Sequence, residues 1–194
     1  RSYTILASSL PSARGQGEPL TGRLTPPIGA EFIDVVMGDD EQLVLLASDV
    51  GYGFISNLGN LKSKTKSGKN AITLPNKSKV MKIVMIEDLE GQYVAVATNR
   101  GRLLIFPITE LPILSKGKGN KLIQIPATDL TARKEIVTGL CALNETQKLR
   151  VYYGKRKTLY KSEDWMHFVS HRARRGKELR PGYVTNIVYI RAED

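Results

Sequence analysis

The chain has 194 residues, of which 41% are hydrophobic and 25% charged, as expected of a globular protein that can bury a core. It carries 29 Lys and Arg against 19 Asp and Glu, and this net charge of +10 indicates a polyanionic partner. The longest aliphatic run is Leu43–Ala47, so we expect neither a membrane span nor a signal peptide. A single cysteine, Cys141, excludes an internal disulfide and predicts a buried thiol in a reducing compartment.

Short runs rich in β-branched and aromatic residues predict β-strands along most of the chain. In chain order they are 43–47, 93–97, 149–153 and 184–190, separated by Gly, Asn, Asp and Pro. One short helix is predicted at 162–170, with Ser162 as its N-cap. The class is therefore all-β.

The sequence also repeats itself about every fifty residues. Gly17, Gly68, Gly119 and Gly176 each occupy a basic or polar loop, segment 71–75 matches 122–126, and segment 47–52 matches 97–102. A period near fifty with about four strands per unit predicts propeller-like blades. We expect one domain over 1–194 with about four four-stranded blades: a partial first repeat at 1–38, then 39–86, 87–143 and 144–194. Because the chain begins with Arg1 and its first repeat starts within a blade, we expect a piece of a longer protein.

Positive charge concentrates in the glycine-containing loops. Between residues 56 and 86 there are seven lysines and no acid, and later basic runs occur at the corresponding loops of the next repeats. One such loop is most simply a solvated turn, but loops at the same position of each blade share one rim, where they can follow duplex phosphates. The predicted phosphate contacts are Lys62, Lys64, Lys66, Lys69, Lys116, Lys118, Lys121, Arg156, Arg172, Arg174, Arg175 and Lys177.

The chain offers little for catalysis. No Walker loop or dinucleotide fingerprint is complete. His167 and His171 have helical metal-ligand spacing but no third ligand nearby, and the acidic cluster 39–41 is best explained as a solvated turn. Cys141 has no basic neighbour to activate it, and Trp165 is interpreted as a packing anchor of the last blade. We therefore expect no catalytic residue and no metal site in this chain.

Several literal strings carry a family resemblance. They are residues 1–3 (RSY), 10–22 (LPSARGQGEPLTG), 101–107 (GRLLIFP), 114–121 (LSKGKGNK) and 154–157 (GKRK). Together they resemble the C-terminal domain of the A subunit of bacterial DNA topoisomerase IV, a relative of the gyrase A C-terminal domain. The resemblance extends essentially from end to end.

This resemblance implies a β-pinwheel, a propeller-like fold whose blades exchange strands with their neighbours. It implies a parent enzyme that passes one duplex through a break in another, with ATP and magnesium used by other domains, so no cofactor is expected here. The family's active tyrosine follows an arginine, whereas none of the eight tyrosines in this chain does. The gyrase box is degenerate at 116–119 and 174–177, so gyrase-like wrapping is not expected.

The expected role is thus non-catalytic binding and bending of duplex DNA, which tunes decatenation and relaxation by the catalytic core. The resemblance implies the topoisomerase IV B subunit and the core of the A subunit as partners, a chromosome-condensing protein as a further candidate, no membrane, and a cytoplasmic location at the nucleoid. The alternative is a protein-interaction scaffold, because propeller discs commonly recruit partners on their faces.

Overall fold

The computed structural model describes residues 1–12, 14–180 and 186–194, and strands dominate these residues. The strands are β1 (Leu43–Ala47), β2 (Tyr52–Asn57), β3 (Val84–Ile86), β4 (Gln92–Thr98), β5 (Arg102–Pro107), β6 (Asn120–Lys121), β7 (Val137–Asn144), β8 (Lys148–Tyr153), β9 (Arg156–Tyr160), β10 (Lys177–Glu178) and β11 (Ile187–Glu193). The helices are α1 (Leu58–Leu61), α2 (Ala127–Thr131) and α3 (Ser162–Trp165), with 3-10 turns at Ala7–Ser9, Leu20–Gly22, Ile108–Glu110 and Met166–Phe168.

The predicted strands at 43–47, 93–97 and 149–153 are confirmed as β1, β4 and β8. The fourth, at 184–190, coincides with β11 from Ile187 onward, while its first two residues lie outside the described part. Gly51 and Gly101, at φ +81° and +79°, form the turns that lead into β2 and β5. These left-handed values explain why glycine recurs at the matched turn position of the two repeats.

The strands form three antiparallel sheets that exchange strands. Sheet 1 has the order β3-β1-β2-β6, sheet 2 the order β10-β5-β4-β7, and sheet 3 the order β11-β8-β9. β6 lies in the predicted repeat 87–143 but pairs with β2, through Tyr52↔Lys121 and Gly53↔Asn120. β10 in the last repeat pairs with β5 in the same way. The all-β, propeller-type fold with exchanged strands is therefore confirmed, whereas the repeat boundaries stay predictions.

Adjacent sheets bury one another. One core cluster joins Leu45 and Ile55 of sheet 1 to Val94 and Phe106 of sheet 2. A second cluster joins sheet 2 to sheet 3. Because a single four-stranded sheet has two apolar faces, each sheet needs its neighbours to remove them from water.

Trp165 occupies the second cluster and is fully buried. Its indole Nε1 donates to the Gln147 carbonyl at 2.9 Å, and its ring meets Tyr93 edge-on with centroids 5.6 Å apart. The indole dipole is thus satisfied while the ring fills the core, as expected of a packing anchor. The tryptophan is interior and does not form an exposed stacking platform.

The predicted helix at 162–170 appears as α3 followed by the 3-10 turn. Its N-cap is Lys161, not Ser162, which is the first helical residue. The Asp164 carboxylate accepts from the Lys161 N–H at 3.3 Å, so an acid of the first turn supplies the capping that the sequence assigned to serine. No helix in the described residues is long and apolar enough to cross a membrane.

Candidate nucleic-acid interface

Three glycine-containing loops share one geometry; we call residues 62–69, 115–121 and 172–177 the Gly loops. Gly68, Gly119 and Gly176 all have φ +75°. One backbone hydrogen bond recurs, from an amide of the preceding repeat to a loop carbonyl: Thr25 to Lys66 at 2.8 Å, Thr73 to Gly117 at 2.8 Å, and Gln124 to Arg174 at 2.9 Å. The loops therefore occupy equivalent positions in successive repeats.

Each of the last two Gly loops is held tightly against the backbone of a sheet strand. A Cβ on Gly119 would lie 2.1 Å from the Gly53 carbonyl oxygen, and one on Gly176 would lie 2.9 Å from that of Leu103. Only glycine lets the loop backbone approach β2 and β5 this closely. Gly17 shares the left-handed conformation, at φ +79°, but nothing lies within 4 Å of its Cβ position.

Most of the predicted phosphate contacts on the Gly loops are exposed. Four have no side-chain hydrogen bond or ion pair to any described residue: Lys64, Lys66, Lys116 and Arg174. Five others make a single contact each. Lys62 forms an ion pair with Asp40, and the Lys118 ammonium lies 4.4 Å from the Tyr52 ring centroid. The remaining three donate one hydrogen bond each: Lys69 to the Asn60 carbonyl at 2.7 Å, Lys121 to the Gln124 side chain at 2.9 Å, and Lys177 to the His167 carbonyl at 2.5 Å. Exposed single contacts of this kind are weak, so the ammonium groups stay available to an anion.

Two predicted contacts, Arg172 and Arg175, are engaged inside the protein. Arg172 donates from Nε to the Glu110 carbonyl at 3.1 Å and from Nη1 to the Lys121 carbonyl at 2.5 Å. Arg175 donates two hydrogen bonds to the Glu135 carboxylate, at 2.7 and 2.5 Å. Both arginines are half-buried. Their geometry fixes the third Gly loop to the second repeat, leaving Arg174 and Lys177 as the cations this loop presents.

Glu135 is the buried carboxylate on which this attachment depends, with none of its surface exposed. Burial by itself would raise its pKa. Hydrogen bonds from Arg175 and Thr98, together with the charges of Arg175 and Arg102, outweigh burial, so the pKa of Glu135 is lowered. The side chain therefore stays ionised in the folded domain at neutral pH.

We expect Glu135→Gln to destabilise the domain at pH 7 by roughly 1–3 kcal/mol, because a charge-assisted pair is lost. Since the pKa is lowered on folding, this contribution is complete above the carboxyl's usual value of 4.5 and is lost as pH falls through the folded value. The difference between wild type and variant should shrink below that pH in urea unfolding. Exposed Glu90→Gln is the matched control, and an equal effect of both changes would contradict the prediction.

Arg156 lies elsewhere than predicted. It is not in a Gly loop but pairs with Tyr153 at the turn joining β8 to β9. This turn corresponds to those at 48–51 and 98–101, at the ends of the sheet strands.

The residues considered above for catalysis or metal binding make contacts that belong to the structure of the domain. Cys141 is buried, which raises the pKa of its thiol to about 12 and keeps it protonated. His171 Nδ1 lies 3.4 Å from Glu110. Asp39 accepts from the amides of Glu41 and Gln42, which makes the acidic cluster a turn. Within the described ranges, no group of three His, Cys, Asp or Glu is arranged to hold a metal ion.

Comparison with known proteins defines the class. The profile for the DNA gyrase C-terminal domain, beta-propeller, matches residues 42–87 and 92–140. The structure of the E. coli ParC C-terminal domain superposes with a TM-score of 0.89 and 41% identity, covering 100% of this chain and 78% of that chain. The DNA topoisomerase 4 A subunits of Pseudomonas aeruginosa and Haemophilus influenzae are each 46% identical over 94% and 96% of the chain.

The fold is thus that of a gyrase A-type C-terminal domain. More narrowly, the chain belongs to the family of C-terminal domains found in the A subunit of DNA topoisomerase IV, as the resemblance implied. It spans about a quarter of the length of the curated relatives that it matches.

Proposed function

We propose that this domain binds duplex DNA along its Gly loops and bends it without reading its sequence. The main support for this proposal is that one loop geometry recurs at equivalent positions in three successive repeats, and that each of these loops presents exposed cations. Duplex DNA carries one negative charge per ~1.7 Å of axis, so a cationic edge renewed once per repeat suits a continuous backbone contact. When lysines contact phosphates, they hold a duplex in position but do not distinguish one base sequence from another.

The local secondary structure also favours binding without sequence preference. Groove readers insert an α-helix or a two-stranded ribbon between the phosphate backbones. Helices α1 to α3 are four or five residues long. Such short helices, lying beside the sheets, provide no recognition helix among the described residues, so phosphates are the expected contact.

In the whole protein, we propose that this binding selects which duplex crossings reach the catalytic core of a topoisomerase IV, and so tunes decatenation and relaxation. The core of the A subunit and the B subunit are the expected partners, in the bacterial cytoplasm. We expect other domains of the whole protein to bind and use ATP and magnesium. Lys116 to Gly119 and Arg174 to Lys177 keep charge and glycine without the full gyrase box, which favours gentle bending over wrapping.

Electrophoretic mobility of two unrelated duplexes over a series of salt concentrations tests this function. Contacts to roughly five to eight phosphates give a log–log salt slope of about −4 to −7, equal for both sequences. A protein scaffold would leave both duplexes unshifted even at about 50 mM salt, and that result would overturn the proposal. A strong preference for one sequence would overturn the absence of base reading.

A further inference from the structure

A second basic surface lies at the ends of the strands; we call it the hairpin end. It comprises the turns at 48–51, 98–101 and 153–156 and the loops at 76–80 and 131–137. Backbone hydrogen bonds join these segments in one row. On the first side, the amides of Asp49 and Val137 donate to the carbonyls of Lys79 and Asp49, at 3.0 and 2.8 Å. The row continues through the Asn99 amide to the Ile136 carbonyl at 3.0 Å, the Asn186 amide to the Asn99 carbonyl at 2.6 Å, and the Gly154 amide to the Asn186 carbonyl at 3.3 Å. The hairpin end is therefore one connected surface that extends over all three sheets.

The exposed charged side chains of the hairpin end are all basic. Six basic side chains are exposed there: Lys77, Lys79, Arg100, Lys134, Lys155 and Arg156. The only acids in these segments are Asp49 and Glu135, and both are buried. Arg133 donates to Asp49 at 2.6 Å and Arg175 holds Glu135, so neither carboxylate offsets the exposed cations.

The loops that carry these cations are held in place. Lys77 and Arg133 both adopt left-handed backbone conformations, at φ +58° and +55°, which are strained for a non-glycine residue. Arg133 Nη1 donates to the Lys77 carbonyl at 3.0 Å, and the Lys79 amide donates to Asp49 at 2.8 Å. The cations at 77 and 79 thus project from a fixed scaffold.

The chemistry of this surface suits nucleic acid better than a protein. None of the exposed large hydrophobic residues of the domain lies in its five segments. Protein interfaces are centred on buried aromatic and apolar anchors and are depleted in lysine. A row of lysines and arginines on turns instead matches a ligand with regularly spaced phosphates.

We propose that the hairpin end binds a second duplex segment, so that one domain holds two duplexes at once. The second and third Gly loops lie at the edges of sheets 1 and 2, where β6 and β10 pair, and the first Gly loop pairs with Ser2, whereas the hairpin end lies at the strand termini. The two surfaces are joined where Arg175 binds Glu135, and the Leu122 amide, which follows the second Gly loop, donates to the Gly51 carbonyl of the hairpin end at 2.7 Å. Holding two duplexes rests on the function proposed for the Gly loops, but binding at the hairpin end does not.

The test counts 12-base-pair duplexes bound per domain at saturation by native mass spectrometry and sedimentation. Wild type is expected to bind two. The hairpin-end variant, Lys79→Glu with Arg100→Glu, Lys134→Glu and Lys155→Glu, is expected to bind one. The Gly-loop variant, Lys66→Glu with Lys116→Glu and Arg174→Glu, is also expected to bind one. All changed side chains are exposed, and matching circular dichroism melts establish that the variants fold.

The outcomes separate the two proposals. If the hairpin-end variant binds as many duplexes as wild type, as a protein-docking surface would, the second site is overturned. If the Gly-loop variant binds none, the hairpin end cannot act alone and is likewise overturned. If the Gly-loop variant binds as many duplexes as wild type while the hairpin-end variant loses one, the proposed function of the Gly loops fails and the hairpin end stands.

Discussion

Reversing one exposed cation in each Gly loop, by Lys66→Glu, Lys116→Glu and Arg174→Glu together, is expected to weaken binding of a long duplex about 100-fold near 0.1 M salt. The three side chains have no partner among the described residues that would be lost, so the fold is spared. Each lost phosphate contact removes about 0.9 from the log–log salt slope, so the slope should become less steep by about 3. Fluorescence anisotropy at several salt concentrations measures both quantities.

The matched control changes net charge equally at other sites. Lys82, Lys148 and Lys161 lie before β3, at the start of β8 and just before α3, and none of them belongs to the segments that define the two basic surfaces. Their combined reversal to glutamate should cost less than about tenfold, because it alters only the long-range field of the protein. Equal losses in the two triple variants would show that net charge, and not loop position, determines binding.

Replacing Trp165 with alanine is expected to destabilise the domain by about 3–5 kcal/mol, the usual cost of deleting a fully buried large aromatic side chain. The change opens a cavity between sheets 2 and 3, removes the contact with Tyr93, and leaves the Gln147 carbonyl without its indole donor. Urea unfolding followed by far-ultraviolet circular dichroism measures the loss.

Trp165→Phe separates packing from hydrogen bonding, because it keeps most of the ring volume and removes the N–H donor. We expect a loss of about 1–2 kcal/mol for this change. Salt-dependent duplex binding of folded Trp165→Phe should match wild type. A selective loss of DNA affinity without a loss of stability would contradict the assignment of Trp165 as an interior anchor.

Local pattern was enough to predict much of the fold. Alternation of apolar residues with glycine-containing turns identified β1, β4 and β8, and the matched strings at 47–52 and 97–102 correspond to turns with the same backbone conformation. The fifty-residue spacing predicted the equivalence of Gly68, Gly119 and Gly176, because a left-handed position tight against another strand admits only glycine. Strand exchange came from the family resemblance, since two-residue strands such as β6 have too little pattern of their own.

Which cations are free could not be predicted from the sequence. Arg174 and Arg175 are neighbours in a uniformly basic string, yet one is exposed and the other is bound to a carboxylate forty residues away. That pairing depends on β10 and β7 joining the same sheet from distant parts of the chain, which no local pattern encodes. The hairpin end was missed for the same reason, because its cations come from four separate segments that only the assembled sheets bring into one row.

The exchange of β6 and β10 has a consequence for biosynthesis. As the ribosome releases the chain, sheet 1 stays incomplete until residues 120–121 emerge, and sheet 2 until residues 177–178 emerge. The same short stretches bring the second and third Gly loops into position, so completion of each sheet and appearance of its cationic loop are one event. A nascent chain would therefore gain affinity for nucleic acid in steps, each coinciding with closure of the sheet before it.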